Sequence, residues 1–175
     1  MKSYKVEDNF LSEGDFLPIK NMLLSHDCAW YHQGAVSGVD EDKEMLDTYF
    51  SHTFFSSARD GWGDPRGISS NLYDLLLPLV RQLEVDALIR LRANNYPHTQ
   101  KRTQHTFHID NDYPHKTAIL YINTNNGMTI LEDGTKINSI ENRLLTFNGL
   151  IKHSSTTCTD SRSRVVVNVN YIKEK

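Results

Sequence analysis

The sequence predicts a mainly β protein with flanking helices, built on an antiparallel sandwich or jelly roll. Three observations predict it. Between residues 86 and 172 the chain divides into eight short β-rich runs, at 86–96, 104–109, 116–123, 127–131, 135–138, 143–147, 150–154 and 163–172. Asn126-Gly127, Asp133-Gly134 and Asn148-Gly149 punctuate them as tight-turn signals. Helical spacing of apolar residues is confined to the part before residue 84, so strands do not alternate with helices as they do in a parallel βαβ sheet. With 175 residues, 38% of them hydrophobic, the chain suffices for one domain with a substantial core. That domain is expected over 1–175, with 1–84 as helical and mixed support and 85–172 as the β core.

The first half supplies the helices. Tyr4–Val6 is expected as a short strand. Ser12-Glu13-Gly14-Asp15 has the form of a helix N-cap with an acid three residues on, and Phe16, Ile19, Leu23 and Leu24 follow near a helical stripe. Cys28–His32 and Tyr49–Phe55 read as strands, and the acidic run Asp40–Asp47 as a solvated helix or loop. Gly61-Trp62-Gly63-Asp64-Pro65-Arg66-Gly67 is too rich in glycine and proline for regular structure and is expected as a surface loop. From Ser69 or Ser70, Leu72, Leu75, Leu76, Leu79 and Leu83 recur at helical spacing, with Pro78 expected to kink or shorten the helix.

Alternation assigns faces to the later strands. In 86–96, Ala87, Ile89, Leu91 and Ala93 fall on one face and Arg90, Arg92, Asn94 and Tyr96 on the other, a polar face suited to a cavity mouth or to solvent. Thr117, Ile119 and Tyr121 share a face in 116–123, where the pattern alone makes Tyr121 a core residue. In the last run Val165, Val167 and Val169 oppose Arg164, Val166, Asn168 and Asn170. An arginine opening a valine-rich strand is costly to bury without an anion, and a carboxylate held by its planar fork satisfies it. Arg162 offers the same chemistry but lies before the strand.

Charge and composition narrow the function classes. The net charge is −3, with −7 over residues 1–80 and +4 over 81–175, so nucleic acid is disfavoured as a partner while the second half favours an anion. Cys28 and Cys158 have neither metal nor redox spacing and are expected as thiols. With no readable signal peptide and no apolar run near the ~18 residues of a membrane helix, the expected location is the cytoplasm.

The chemistry converges on His105–Tyr113, which reads H-T-F-H-I-D-N-D-Y. In extended chain His108 and Asp110 point to one side and can share a cation, and His153, 43 positions after Asp110, is the candidate third ligand. Two imidazoles and one carboxylate form the donor set of the facial triad of non-haem Fe(II) oxygenases. A single His-x-acid pair is weak alone, since about one is expected by chance in a chain of this composition. His105 is out of phase with His108 and reads as a surface or substrate-side residue, and the lone His98 and His115 as non-ligands.

Taken together, His108-x-Asp110, His153 and Arg164 within S-R-V-V-V-N-V-N-Y resemble the Fe(II)/2-oxoglutarate-dependent dioxygenases. The likeness is greatest to their prolyl-4-hydroxylase-like branch, of the short type found in phages and marine bacteria. It covers residues 85–172 and implies a double-stranded β-helix, a cupin-like jelly roll. It implies Fe(II) on His108, Asp110 and His153, which are then the catalytic residues, and 2-oxoglutarate as cosubstrate with O2. Arg164 and Tyr121, the latter in T-A-I-L-Y-I-N, would hold the far carboxylate; Tyr96, followed by Pro97, and Asn168 would sit near the cosubstrate. Arg92, Asn94 and Asn170 are expected in the substrate pocket. The expected reaction is hydroxylation of a C–H bond with release of succinate and CO2, by default on a peptidyl proline. A protein, peptide or small molecule is thus the expected partner. Asn170 stands where relatives that repair alkylated nucleic acids carry a second arginine, which counts against repair. The competing readings are a cupin-type metalloenzyme of other chemistry and a non-catalytic jelly-roll binding module; neither has need of Arg164 and Tyr121.

Overall fold

The computed structural model describes residues 4–34, 48–57 and 66–174. The first part contains β1 (Tyr4–Glu7), α1 (Glu13–Leu24), β2 (Tyr31–Gln33), β3 (Tyr49–Ser56), β4 (Gly67–Ile68), a 3-10 turn (Tyr73–Leu76) and α2 (Leu77–Gln82). The second contains β5 (Ala87–Pro97), β6 (Lys116–Tyr121), β7 (Met128–Leu131), β8 (Lys136–Asn138), β9 (Leu144–Asn148), β10 (His153–Ser155) and β11 (Ser163–Ile172). The acidic run Asp40–Asp47 and residues 61–65 of the glycine-rich segment lie outside the described residues, while Gly67 of that segment opens β4.

The strands form a large antiparallel sheet in the order β1-β9-β6-β11-β5-β3-β2, with β4 beside β3, and a smaller sheet β10-β7-β8. This two-sheet arrangement is the expected jelly roll. Strand alternation gives the large sheet two apolar faces. On one, Val165, Val167, Val169, Leu91, Ala93 and Phe54 pack with Phe16, Ile19 and Leu23 of α1 and Leu79 of α2. On the other, Val166, Tyr96, Tyr121 and Phe147 meet Leu131 and Ile137 of the small sheet. Full burial of each leucine or isoleucine contributes about 1.5–3 kcal/mol, and truncating one such as Leu23 to alanine costs about 2–5 kcal/mol. Among the described residues no helix is long and apolar enough to cross a membrane.

The local signals act as their chemistry dictates. Ser12 caps α1, its Oγ accepting from Asp15 N at 3.2 Å and donating to Asp15 Oδ2 at 2.7 Å. The helix expected from Ser70 is a 3-10 turn followed by α2, because Pro78 has no N–H for a continuous ladder and fits the first turn of a new helix. The strand expected at Cys28–His32 is shorter and later, Tyr31–Gln33, pairing with β3. Cys28 and Cys158 are buried free thiols.

Three expectations about the β region are corrected. Residues 104–109 form no continuous strand; Gln104 bridges Thr156 and His108 bridges His153, so one extra residue on this side interrupts the ladder with β10. In β5 a bulge leaves Ile89 without a Cα partner between Arg90, opposite Asn170, and Leu88, opposite Tyr171. Leu88, not Ile89, thereby reaches the helix-side core, while Arg90 keeps the face of Arg92, Asn94 and Tyr96. Finally, Asp133-Gly134 is a tight turn with Gly134 at φ 84°, but Gly127 has no positive φ. A Cβ on Gly127 would lie 2.5 Å from Arg164 Cδ, so close approach, not turn geometry, requires glycine there.

Candidate active site

Between the two sheets lies a cavity of about 290 Å³. Its floor is made by facing residues of β5 and β11, paired Arg92 with Asn168, Asn94 with Val166 and Tyr96 with Arg164. His108, Asp110 and His153 form one side. Backbone pairing places the two histidines: His108 N donates to His153 O at 3.0 Å and His153 N to His108 O at 2.9 Å. Their rings lie 4.6 Å apart, with Phe147 edge-on to His153 at 5.1 Å. Asp110 Oδ1 is 3.9 Å from His108 Nε2 and Oδ2 is 3.9 Å from His153 Nε2, and one ligand atom from each residue fits within 4.8 Å of the others.

The tautomers suit coordination. Nδ1 of His108 lies 3.3 Å from Thr106 O and Nδ1 of His153 lies 3.4 Å from Ile151 O, so a proton on Nδ1 leaves the Nε2 lone pairs facing Asp110. Burial lowers the His153 pKa to about 4, against the opposing pull of Asp110, which keeps the ring neutral. Burial alone would raise the Asp110 pKa, but Arg90, the two histidines and a hydrogen bond from Asn170 together hold it well below the usual carboxylate range. Two imidazole nitrogens and an ionised carboxylate are the donors Fe(II) takes, and the residues fit that ion.

The far end of the cavity is built around Arg164, 1% exposed. Its Nε donates to Ser139 Oγ at 2.8 Å and its Nη2 to Thr129 Oγ1 at 3.0 Å, while the buried Nη1 has no partner. Tyr121 donates its hydroxyl to the same Thr129 Oγ1 at 2.8 Å. Thr129 thus uses both acceptor lone pairs, leaving its own proton for an acceptor in the cavity that it lines. The guanidinium lies 5.2 Å from the Tyr96 ring centre and 5.6 Å from that of Tyr121. Among the described residues no carboxylate pairs with Arg164, so a buried cation with a free donor faces the cavity. A carboxylate such as the distal group of 2-oxoglutarate fits it.

Of the residues expected from sequence, His108, Asp110, His153, Arg164, Tyr96, Asn168, Arg92 and Asn94 all line this cavity. Tyr121 reaches it through Thr129. Arg162 is exposed, which leaves Arg164 as the buried arginine of the two. Asn170, expected in the substrate pocket, is instead fully buried behind Asp110, donating to Oδ2 at 2.9 Å. His105, expected at the surface, is 2% exposed, because the interrupted ladder turns its ring inward to stack on Tyr96. Its Nδ1 lies 2.7 Å from Ser155 Oγ, and burial, with Arg164 nearby, lowers its pKa to about 4. His115 packs against Gly149 with Nδ1 on Tyr113 O, and takes no part in the cluster. Sequence reasoning missed Arg90, Thr129, Ser139 and Tyr49. The signal for Arg90 was present in the polar face it shares with Arg92 and Asn94; short hydroxyl side chains such as Thr129 carry no such signal.

No family model matches the sequence, and no curated protein matches it. The fold has clear counterparts among solved structures. A prolyl hydroxylase from Trichoplax adhaerens, in complex with a hypoxia inducible factor oxygen degradation domain peptide, is similar with a TM-score of 0.66 and 15% identity, covering 97% of this chain and 83% of that one. A 2OG-Fe(II) oxygenase family oxidoreductase from Burkholderia pseudomallei gives 0.69 and 10%, covering 99% and 86%. The non-heme alpha ketoglutarate dependent epimerase SnoN of nogalamycin biosynthesis gives 0.64 and 15%, covering 98% and 78%. The chain has the fold of the 2-oxoglutarate/Fe(II) oxygenases. Prolyl hydroxylases and the epimerase SnoN alike are built on this fold.

Proposed function

We propose that the chain is an Fe(II)- and 2-oxoglutarate-dependent dioxygenase that hydroxylates a C–H bond of its substrate and releases succinate and CO2. The observation that carries the reading is the pairing, in one cavity, of the His108–Asp110–His153 cluster with the buried, half-satisfied guanidinium of Arg164. His108 Nε2, His153 Nε2 and a carboxylate oxygen of Asp110 would hold Fe(II). Arg164 Nη1 and the Thr129 hydroxyl would hold the distal carboxylate of 2-oxoglutarate, with Tyr121 fixing Thr129 from behind. When bound, iron and cosubstrate supply the activation of O2. The protein's own part is to aim the two imidazoles and Asp110 at one point and to wall the cavity with Tyr96, Tyr49 and Val166 against bulk water. Asn94, next along the floor from the Tyr96–Arg164 corner, and the facing pair Arg92 and Asn168 beyond it present polar groups to the cosubstrate and substrate.

A peptidyl proline is the default substrate, supported by the peptide bound to the Trichoplax hydroxylase. A free amino acid or another small molecule is the second candidate class. The net charge of −3 and the asparagine at 170 speak against nucleic acid. A cupin-type metalloenzyme of other chemistry, or a plain binding module, leaves the orphaned Arg164 nitrogen unexplained. The test is succinate formation from 2-oxoglutarate under air with added Fe(II), using proline-containing peptides and free proline in parallel. Succinate that depends on Fe(II), and is lost in His108→Ala, supports the reading; turnover retained in that variant overturns it.

A further inference from the structure

Asp110 is held by two side chains that the oxygenase reading does not require. Arg90 Nη2 lies 2.6 Å from Oδ1, and Asn170 Nδ2 donates to Oδ2 at 2.9 Å. The two clamping residues also hold each other, Arg90 Nε donating to Asn170 Oδ1 at 3.1 Å, and Asn170 Nδ2 additionally reaches Thr117 Oγ1 at 3.1 Å. They are direct partners across β5 and β11, beside the bulge that leaves Ile89 unpaired. That bulge lets Leu88 join the helix-side core while Arg90, two positions on, still faces the cavity. The Asp110 side chain is 5% exposed and that of Arg90 16%, so this is a largely desolvated ion pair.

A buried carboxylate is costly unless a metal or another cation faces it. We infer that Arg90 is a positioning residue whose guanidinium stands in for the metal's charge in the metal-free protein and, with Asn170, keeps Asp110 aimed at the histidine pair. The inference rests on the metal-site reading above. It has a signed consequence. Arg90 stabilises the empty centre and competes with the cation for the negative charge of the Asp110 carboxylate, so its removal destabilises the metal-free state and makes metal binding more favourable. A residue that merely packed against the strand would lower stability in both states alike.

The experiment uses Co(II), which binds without turnover, on the full chain as wild type, Arg90→Met, Arg90→Lys and the double variant Arg90→Met/Asp110→Asn. Thermal unfolding is read with and without the metal, and Co(II) affinity by its visible absorption. For Arg90→Met the metal-free midpoint is expected to fall by roughly 5–15 °C. The upward shift on adding Co(II) exceeds that of wild type, and Co(II) binds on the order of tenfold more tightly. Arg90→Lys, which keeps the charge, restores most of the metal-free midpoint. The double variant, which removes both charges, recovers it even if Arg90→Met alone does not fold. An equal Co(II) shift in wild type and Arg90→Met, or a double variant no more stable than the single one, overturns the role of Arg90 and leaves the metal site standing. Wild type that binds no Co(II) overturns both.

Discussion

His108 and His153 exchange both of their backbone hydrogen bonds, at 3.0 and 2.9 Å, although no continuous strand contains His108. This isolated pair puts both imidazoles on one side of Asp110, and each Nε2 lies 3.9 Å from a different carboxylate oxygen. Neither ring can be replaced by its neighbour: His105 turns to Ser155 and Tyr96, and His115 to Gly149. His153→Ala is therefore expected to lower Co(II) or Mn(II) affinity by on the order of a hundredfold or more and to abolish succinate formation. Titration of the variant by metal absorption or electron paramagnetic resonance checks it. Retained affinity would mean that the cluster is not the metal site.

Gly127 lies against the stem of Arg164. An added methyl would sit 2.5 Å from Arg164 Cδ, 2.8 Å from Asn125 Oδ1 and 3.0 Å from the Thr157 carbonyl oxygen. The flexible arginine yields first, so Gly127→Ala is expected to displace the guanidinium and cost about 1–3 kcal/mol of stability. The KM for 2-oxoglutarate rises about tenfold while Co(II) affinity stays at the wild-type value. Loss of metal binding in this variant would contradict the division into a metal end and a carboxylate end.

Thr129 tests the same corner without disturbing its packing. Thr129→Val keeps the shape but removes the acceptor shared by Tyr121 and Arg164 Nη2, leaving two buried donors unsatisfied. A stability loss of about 1–3 kcal/mol is expected, together with weaker 2-oxoglutarate binding. Calorimetric titration of 2-oxoglutarate into the Mn(II)-loaded protein is the check, and unchanged affinity would remove Thr129 from the site.

Acid should weaken the metal-free protein in two stages. Both His105 and His153 have folded pKa values near 4, below the ordinary histidine value of 6.5. Between those limits the unfolded chain binds more protons than the folded one, so stability is present above pH 6.5 and is lost as pH falls toward 4. Each ring contributes at most about 1.4 kcal/mol per pH unit in that window. Asp110, whose folded pKa is depressed below 3.8, adds a further loss only below that value. Thermal midpoints of metal-free wild type and His105→Gln between pH 7 and 4 test the first stage. The variant should show a shallower slope; identical slopes would mean that His105 is not buried as a neutral ring.

Much of this arrangement is written in local patterns. The parity of the last run separates Val165, Val167 and Val169 from Arg164, Val166 and Asn168, and the structure puts the two sets on opposite faces of one sheet. Ser12 and the Phe16, Ile19, Leu23 stripe mark α1 in the same direct way. What escaped depends on register, which no single run carries. A bulge at Ile89 lets Leu88 and Arg90 face opposite sides of the sheet, and an extra residue between Gln104 and His108 turns His105 inward. Asn126-Gly127 is a strong turn dipeptide whose glycine is needed because of Arg164, 37 positions away. Arg90 stands 20 positions before Asp110 and meets it only because β5 and β11 bring it beside Asn170.

The central claim is that Arg164 and the His108–Asp110–His153 cluster serve one chelated cosubstrate. An anaerobic titration of the metal-free protein, first with Fe(II) and then with 2-oxoglutarate, reads this as the visible metal-to-ligand charge-transfer band, with Arg164→Ala beside wild type. Wild type is expected to give a band that saturates with 2-oxoglutarate, and the variant to require on the order of a hundredfold more cosubstrate. Folded wild type with bound Fe(II) and no band, or a variant that titrates like wild type, would contradict the claim.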